Sequence, residues 1–245
     1  MRRPSPEGSE PASGGRARVH LDAMIDVILC DDHALIRRGI RDTLSDASDI
    51  RVVGEAGDYS ELRGLLRALG SSGLEPLRAT PCDVLVLDIN LPGRSGLDAL
   101  QALKDEGSPV KVLVVSMYPE DQYAIRALRA GAYGYVNKGG DPQLLVQAVR
   151  TVAQGRKYVT PEIAQMLVES LTAPASESPH SKLSDRELQT LVMIASGKRL
   201  ADIAEALTLS PKTVSVYRAR VLEKLQLANN SELTVYAIRN GLVGQ

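Results

Sequence analysis

Residues 84–88 read Val-Leu-Val-Leu-Asp, a short apolar run of strand-forming residues that ends in a carboxylate. The same pattern occurs at 25–30, which is followed by a pair of aspartates, and at 112–115, which is followed by Ser116. Near-continuous apolar runs between helical patterns are typical of strands that are buried on both faces of a parallel sheet. The chain is therefore predicted to contain a parallel sheet whose strands end in polar residues.

Five such strands alternate with five helical patterns in the first half of the chain. The strands are predicted near 25–30, 51–55, 84–88, 111–116 and 133–137. The helices are predicted near 34–46, 59–69, 96–106, 120–130 and 141–154. This alternation predicts an α/β fold with a doubly wound, five-stranded parallel sheet.

The rest of the chain differs in composition from the sheet region. Thr160-Pro161 is a helix start that predicts a short helix to about Leu171, and 172–180 is typical of a flexible connection. The long connection at 70–81 is predicted to be an exposed excursion. The predicted organisation is a disordered leader (1–23), an α/β domain (24–154), a linker with a short helix (155–181) and an all-helical domain (182–245).

The C-terminal region is predicted to contain four helices. Ser184 and Glu187 form a predicted capping box, and Ser210-Pro211 opens the third helix of the four. Only about three residues, 208–210, join the second helix to the third. Two short helices with so tight a connection predict a helix-turn-helix.

Charge and composition narrow the class of protein. Residues 24–150 carry 14 Lys/Arg and 18 Asp/Glu, a net of −4, whereas residues 180–245 carry 9 and 6, a net of +3. An acidic module joined to a basic one suits a protein that meets a polyanion. No apolar stretch approaches the length of a membrane span, and two cysteines without metal-ligand spacing suit a reducing, cytoplasmic setting.

The polar residues at the strand ends predict a magnesium site. Carboxyl ends of parallel strands meet at one edge of an open sheet, where ligands bind. Crowded carboxylates repel one another, and a hard divalent cation such as Mg²⁺ relieves that repulsion. We expect Asp32, Asp88 and the carbonyl oxygen of Asn90 to be direct ligands, with Asp31 acting through water.

The same edge is predicted to carry phosphoryl chemistry. Asp88 can attack a phosphoryl group and form an acyl phosphate. Phosphoryl transfer needs mainly positioning and neutralisation of charge, which Lys138 and the hydroxyl of Ser116 can supply beside Mg²⁺. His33 is predicted to be a helix-start residue and not a ligand.

In their order along the chain, these motifs resemble those of two-component response regulators, with a receiver domain followed by a LuxR-type DNA-binding domain of the NarL/FixJ subfamily. The resemblance covers nearly all of residues 24–245 and implies a flavodoxin-like receiver. The matching residues are Asp31-Asp32-His33, Leu87–Gly93, Ser116, Gly134–Lys138, Leu183–Leu188, Ile203-Ala204 and Pro211–Tyr217.

The resemblance implies a phosphorylation switch and no enzyme activity beyond the receiver's own phosphorylation and dephosphorylation. Asp88 would take a phosphoryl group from a sensor histidine kinase and become 4-aspartylphosphate. Ser116 would move toward that group and Tyr135 would change rotamer, although Tyr135 can equally be plain core packing. Phosphorylation would favour dimerisation and promoter binding.

The third helix of the basic domain is the recognition helix by resemblance, and double-stranded DNA is its expected partner. Base reading would fall to Ser215, Val216 and Ala219, with Arg218 and Arg220 as alternative readers. Phosphate contacts would fall to Lys212, Thr213 and Tyr217. The family commonly has lysine at two of the base-reading positions, so a different site preference is expected. The residues predicted to contact DNA are Lys212, Thr213, Ser215, Val216, Tyr217, Arg218, Ala219, Arg220 and Lys224.

A homodimer is expected on DNA, with RNA polymerase as a further candidate partner and no membrane contact. The fourth helix is predicted to be core through Leu233, Val235, Tyr236 and Ile238, and by resemblance it also supplies the dimer contact. The chain contains no Phe or Trp, which speaks against stacking on single-stranded nucleic acid.

Two other functions compete with this interpretation. A phosphatase of the haloacid-dehalogenase type also uses a strand-end aspartate and Mg²⁺, but it needs a second aspartate where this chain has Asn90. A regulator that ignores phosphate and uses its receiver only for dimerisation is the other alternative, against which the intact acidic set argues.

Overall fold

The computed structural model of the chain describes residues 24–71, 82–118, 120–172 and 178–243. The predicted leader and nearly all of the predicted excursion at 70–81 lie outside these residues. Among the helices of the described ranges, none has the length and apolar character needed to cross a membrane.

The N-terminal domain is a parallel sheet flanked by helices, which confirms the predicted fold class. The strands are β1 (Ile25–Cys30), β2 (Ile50–Ala56), β3 (Val84–Asp88), β4 (Lys111–Ser116) and β5 (Gly134–Asn137). The helices are α1 (Ala34–Ser45), α2 (Tyr59–Ser71), α3 (Gly96–Asp105), α4 (Glu120–Ala130) and α5 (Pro142–Ala153). The strand order is β2-β1-β3-β4-β5, with every neighbouring pair parallel.

Alternate residues of each strand point to opposite faces of the sheet and build two cores. Val27 and Leu29 of β1 belong to the core formed with α1 and α5. Ile28 and Cys30 belong to the core formed with α2, α3 and α4. Both faces of the central strands are therefore covered, which explains their nearly continuous apolar sequences.

The strand order places the ends of β1 and β3 side by side. The chain moves outward from β1 to β2 and then crosses to β3 on the other side of β1. The order of the sheet reverses at this point, and in open α/β sheets such a point forms a crevice outside the carboxyl ends of the strands. Asp31 and Asp88 come to this crevice because each stands at the end of one of these strands.

The segment after α5 packs against the sheet and α4. Tyr158 forms a parallel bridge with Gly134, and helix α6 (Pro161–Thr172) follows. Ile163 is fully buried, and the hydroxyl of Thr160 donates a 3.0 Å hydrogen bond to Glu120 of α4. The prediction of a flexible connection up to residue 180 was wrong at its end, because Pro179–Lys182 forms a 3-10 helix.

The C-terminal domain consists of four helices. They are α7 (Asp185–Ala195), α8 (Leu200–Ala206), α9 (Pro211–Leu225) and α10 (Asn230–Arg239). The predicted capping box is confirmed, since Ser184 N donates to Glu187 Oε2 at 2.8 Å and the Ser184 hydroxyl accepts from Glu187 N. The turn between α8 and α9 contains Thr208 at a φ of 53°, a left-handed conformation that allows the tight turn of a helix-turn-helix.

Helix α10 is only partly core, which corrects the prediction for its four apolar residues. Leu233 and Ala237, four residues apart, are fully buried on the side that packs against α7. Val235 and Ile238 are 47% and 40% exposed, because residues two or five positions along a helix from Leu233 point away from that side.

Candidate functional site

Lys138 joins the two buried aspartates at the edge of the sheet. Its Nζ atom lies 2.6 Å from Asp31 Oδ2 and 2.9 Å from Asp88 Oδ2. The side chains of the three residues are at most 4% exposed. The prediction that these residues, which are far apart in the sequence, lie close together in the fold is therefore confirmed.

Each member of this group is positioned by a strand end. Asp31 N donates to Ala56 O of β2 at 3.0 Å, which extends the pairing of β1 by one residue. Lys138 N donates to Ser116 O at 2.8 Å, which joins the ends of β4 and β5. His33 is the residue before the first turn of α1, as predicted, and its N–H donates to Asp31 Oδ1 at 2.8 Å.

Burial governs the ionisation of Asp88. Removal from water raises the pKa of this carboxyl above its ordinary value, and the attraction of Lys138 offsets only part of that effect. The nearby carboxylate of Asp31 raises it further. The surroundings of Asp88 thus disfavour its negative charge. A cation in addition to Lys138 would stabilise that charge.

The donor atoms around Asp88 suit a hard divalent cation. Oxygen atoms of Asp31, Asp32 and Asp88 and a ring nitrogen of His33 lie within 4.8 Å of one another. Asp88 Oδ1 is buried and has no hydrogen-bond partner among the described residues. An unpaired buried carboxylate oxygen beside two further carboxylates fits Mg²⁺, which prefers oxygen ligands.

The loop after β3 brings Asn90 to the site. Gly96 N donates to Ile89 O at 2.8 Å and Leu91 N donates to the same oxygen at 3.1 Å, which closes the loop tightly. The side-chain oxygen of Asn90 accepts a 2.7 Å hydrogen bond from Gln189 Nε2 of α7. The C-terminal domain thus touches the loop that carries a predicted magnesium ligand.

Ser116 and Tyr135 lie at the other side of the site, where β4 and β5 end. The Ser116 hydroxyl is fully buried and accepts from Tyr118 N at 3.1 Å. The Tyr135 hydroxyl donates to Tyr118 O at 2.8 Å, and burial raises the pKa of this phenol. Tyr135 is fully buried, as expected for a core residue. Its change of rotamer on phosphorylation stays a prediction.

The predicted DNA-contacting residues fall into two groups on α9, which differ in exposure. Exposed members are Lys212, Ser215, Val216, Ala219, Arg220 and Lys224, and partly buried members are Thr213, Tyr217 and Arg218. Arg218 Nε donates to Asn230 Oδ1 at 2.6 Å. Lys224 Nζ lies 2.6 Å from Glu187 Oε2, so its charge already serves an ion pair with the capping box of α7.

Arg186 and Gln189 also belong to the site, and neither was predicted as a site residue from the sequence. Both lie on α7 and are at most 4% exposed, and both donate hydrogen bonds to the loop after β3. Side chains three positions apart on a helix share one face, and a polar face of a helix is usually exposed to solvent. Only the packing of α7 on the receiver loop makes these two residues interior.

Two families match the chain, one for each domain. Residues 27–150 match the family described as Response regulator receiver domain. Residues 181–237 match the family described as Bacterial regulatory proteins, luxR family. The order of the two matches is the order of the two domains in the structure.

Relatives described as response regulators align over most of the chain. Response regulator UvrY of Escherichia coli strain K12 is 40% identical over 220 residues, which are 89% of this chain and 96% of the relative. Response regulator GacA of Pseudomonas protegens is 40% identical over 220 residues, covering 90% and 98%. Among solved structures, RcsB from Salmonella enterica serovar Typhimurium bound to promoter rprA with the phosphomimetic BeF3- is 26% identical, with a TM-score of 0.57 over 87% of this chain and 98% of that one.

Proposed function

The chain belongs to the response regulators that join a receiver domain to a LuxR-type DNA-binding domain, and we propose that Asp88 is the residue through which phosphorylation controls it. The protein is a transcription regulator that binds promoter DNA under the control of receiver phosphorylation. The donor of the phosphoryl group is a sensor histidine kinase.

The state of the Asp88 carboxylate carries this proposal. Lys138 holds Oδ2, whereas Oδ1 is buried and has no hydrogen-bond partner in the described part of the chain. The raised pKa of the group marks a negative charge that lacks full compensation. A carboxylate oxygen of Asp88 forms the new bond to phosphorus, and the bond from phosphorus to the histidine nitrogen of the kinase breaks, with its electron pair leaving on the nitrogen. The product is 4-aspartylphosphate at Asp88.

Mg²⁺ is the proposed cofactor, held directly by Asp32, Asp88 and the carbonyl oxygen of Asn90, with Asp31 acting through water. When bound, the ion neutralises negative charge on the phosphoryl group and on the carboxylates. The crowding of oxygen ligands at this edge supports the assignment.

Lys138 and Ser116 are proposed to bind the phosphoryl oxygens. The ammonium of Lys138 already touches the carboxylate that would be modified, so a small displacement lets it pair with the added group. The hydroxyl of Ser116 accepts a hydrogen bond from Tyr118 N and can donate its own proton to a phosphoryl oxygen. The Tyr135 hydroxyl, bound to Tyr118 O, would report on that movement through the loop after β4.

The same groups are proposed to support hydrolysis of the aspartylphosphate and no other enzyme activity. A haloacid-dehalogenase phosphatase needs a general acid where Asn90 stands, and an amide cannot donate a proton as an acid. The site also lies in a chain whose relatives are transcription regulators. A turnover assay with a phosphomonoester, compared between the chain and Asp88→Asn, would reveal phosphatase activity if it existed.

DNA binding is proposed to use the exposed face of α9. Lys212 and Arg220 are exposed on this helix and suit phosphate or base contacts in the major groove. Ser215, Val216 and Ala219 are exposed on the same helix and are the proposed base readers. Lys224 and Arg218 have partners within the domain, so we expect smaller contributions from them.

A homodimer is proposed to form on DNA through α10, whose exposed Val235 and Ile238 present apolar surface beside the helix-turn-helix. Two copies would read two half-sites spaced by about one helical turn. Contact with RNA polymerase would then be made by the DNA-bound dimer.

Chemical labelling tests the acceptor. Incubation with acetyl phosphate and Mg²⁺ should add one phosphoryl group. The added group should be seen by intact mass and should be released by hydroxylamine or base, as is typical of an acyl phosphate. Asp88→Asn should abolish the label, whereas Asp105→Asn, which changes an exposed aspartate of α3, should retain it. Equal labelling of Asp88→Asn would show that the acceptor is another residue.

Salt-dependent binding to duplex DNA tests the recognition helix and the role of the phosphate. Arg220→Ala should weaken binding and lower the salt slope by about one, whereas Arg239→Ala, an exposed arginine on α10, should change little. Phosphorylation should raise the affinity of the wild-type chain. Affinity that is indifferent to phosphorylation would favour a regulator that ignores phosphate.

A further inference from the structure

His33 adds a nitrogen atom to the cluster of carboxylates at the edge of the sheet. A ring nitrogen of this residue and one oxygen atom each of Asp31, Asp32 and Asp88 lie within 4.8 Å of one another. His33 Nδ1 lies 2.7 Å from Asp32 Oδ1 and 3.7 Å from Asp31 Oδ1. The ends of β1 and β3 therefore bring three oxygen ligands and one nitrogen ligand around a single point.

The contact between His33 and Asp32 has the spacing of two ligands on one metal ion. Asp32 Oδ1 is buried and has no hydrogen-bond partner among the described residues, although His33 Nδ1 is only 2.7 Å away. The two atoms therefore lack the alignment of a hydrogen bond. Imidazole nitrogen and carboxylate oxygen atoms bind a metal such as Zn²⁺ at about 2.1 Å, which places neighbouring ligands about 3 Å apart.

Asp88 provides a further oxygen atom for the same ion. Its Oδ1 atom is buried and has no hydrogen-bond partner in the described part of the chain, while Lys138 Nζ lies 2.9 Å from Oδ2. Three carboxylates meet the ammonium group of Lys138 at this edge, so a divalent cation would balance the remaining negative charge.

The imidazole ring lies on the side of the site that is open to solvent. The side chains of Asp31 and Asp88 are 3% and 2% exposed, whereas that of His33 is 55% exposed. The backbone N–H of His33 donates to Asp31 Oδ1 at 2.8 Å, which fixes the base of the ring beside the carboxylates. An ion can therefore enter past the ring and bind the buried oxygen atoms behind it.

We propose that His33 is a metal ligand beside the three carboxylates and that it makes the site bind late first-row transition metal dications, such as Co²⁺, in preference to Mg²⁺. Imidazole suits ions of this class, whereas Mg²⁺ is bound by oxygen atoms. The inference rests on the proposed function, because it uses Asp32 and Asp88, which are proposed to bind Mg²⁺. The two kinds of ion compete for one site, and the expectation that His33 does not bind Mg²⁺ is unchanged.

Calorimetric titration of the full chain with CoCl₂ and, separately, with MgCl₂ tests the role of the ring. His33→Ser keeps the backbone bond to Asp31 and places a preferred residue before the first turn of α1, so the fold is retained. The variant should bind Co²⁺ about tenfold more weakly or worse, because even the loss of an indirect partner of a ligand costs about tenfold or more. Its affinity for Mg²⁺ should stay close to that of the wild-type chain.

His180→Ala is the matched control for loss of an imidazole. The ring of His180 contacts the Tyr236 hydroxyl in the C-terminal domain and takes no part in the acidic cluster. This variant should bind both ions as the wild-type chain does.

Proton NMR of the Co²⁺-loaded chain provides a readout that depends neither on affinity nor on phosphorylation. Binding through His33 Nδ1 leaves Nε2 protonated, so the wild-type chain should show a strongly shifted, exchangeable imidazole N–H resonance that His33→Ser lacks. A large excess of Mg²⁺ should remove this resonance.

The outcomes separate the nitrogen ligand from the magnesium site. Equal Co²⁺ affinities in His33→Ser and the wild type, or absence of the shifted resonance from the wild type, would overturn the role of His33 and leave a site that still binds Mg²⁺ intact. Failure of both proteins to bind Mg²⁺ would overturn the proposed magnesium site itself, and with it this inference.

Discussion

Gly96 begins α3 directly against the backbone of Asp88. A Cβ atom at position 96 would lie 1.9 Å from Asp88 O and 2.8 Å from the carbonyl carbon of the same residue. The close approach lets the loop after β3 return in only a few residues, with Ser95 capping α3 through a 3.1 Å bond from Asp98 N. The position of Asp88 thus depends on a residue that has no side chain.

Gly96→Ala should displace the end of β3, because backbone atoms cannot yield as a flexible side chain can. We expect a loss of about 3 kcal/mol or more in the free energy of unfolding, at or above the upper end of typical overpacking costs, together with slower labelling of Asp88 by acetyl phosphate. Gly39→Ala in α1 is the matched control, since a Cβ there meets no atom of the described residues within 4 Å. This control should stabilise the chain by about 0.5–1 kcal/mol in urea unfolding.

Lys138→Ala should destabilise the receiver at neutral pH. The change leaves Asp31 and Asp88 as buried carboxylates without their shared cation, and breaking a buried ion pair in this way costs about 3–5 kcal/mol. Burial raises the pKa of Asp88, and its protonation removes an unpaired charge, so the loss should shrink as the pH falls toward about 4. Lys198→Ala, which removes an exposed lysine, should leave the urea midpoint nearly unchanged. A loss that is equal at both pH values would contradict the electrostatic explanation.

Asp88→Asn should raise the melting temperature at neutral pH. Burial raises the pKa of Asp88 in the folded chain, so the ionised form of this carboxyl opposes folding. The folded chain is therefore more stable at acid pH, where Asp88 is protonated, and loses that stability as the pH rises. An amide removes that charge while Lys138 keeps its 2.6 Å contact with Asp31. The gain measured by differential scanning calorimetry should disappear at acid pH, and a gain that persists there would have another cause.

The sequence was sufficient for the sheet and for the convergence of Asp31, Asp88 and Lys138. Buried parallel strands leave a nearly continuous apolar signal, and the end of each strand is marked by the first polar residue. Since all five strands run in the same direction, their ends meet without any information on side-chain packing. Helix bounds were equally accessible where caps such as Ser184 and Ser210 mark them.

Packing between the two domains could not be predicted from local patterns. The burial of Arg186 and Gln189 depends on contacts with residues about a hundred positions earlier, for which helix periodicity carries no signal. The same reason explains the incorrect prediction for α10. Four apolar residues of this helix were predicted to be buried, but the position of α7 decides which of them are covered. Lys224 on α9 was predicted as a DNA contact, and its ion pair with Glu187 is likewise a product of packing.

Replacement of Val235 and Ile238 by serine should weaken pairing of the DNA-binding domains without unfolding them. Both residues are exposed on α10, so the change removes apolar surface that a second copy would cover and takes nothing from the core. We expect loss of cooperative binding to a two-half-site duplex in electrophoretic mobility shifts. Val168→Ser on α6, where the valine is 60% exposed, is the matched control. Cooperative binding by the double variant would place the dimer contact elsewhere.

Asp185→Asn should stabilise the chain at neutral pH and alter its pH dependence. Burial raises the pKa of Asp185 from 3.8 to about 6, Asp98 of α3 adds to this, and the attraction of Arg126 from α4 and of Arg186 opposes it. A raised pKa in the folded state means that the stabilising contribution is complete below about pH 4 and is lost as the pH rises through about 6. Removal of the charge should therefore raise the free energy of unfolding at neutral pH by up to about 3 kcal/mol, since one pKa unit is equivalent to about 1.4 kcal/mol.

Asp202→Asn provides the matched control with the opposite sign. Asp202 is partly exposed at the start of α8, where its hydrogen bonds with Arg199 lower its pKa. The negative charge of Asp202 therefore stabilises the folded state at pH values above the ordinary pKa of an aspartate, and this effect is lost as the pH falls. Asp202→Asn should lower the free energy of unfolding slightly at neutral pH and leave it unchanged at acid pH. Urea unfolding of both variants across this pH range, followed by circular dichroism, should give stability curves that diverge from the wild type in opposite directions. A neutral-pH loss for Asp185→Asn would mean that its ion pair with Arg126, at 3.6 Å, outweighs the cost of burying the carboxylate.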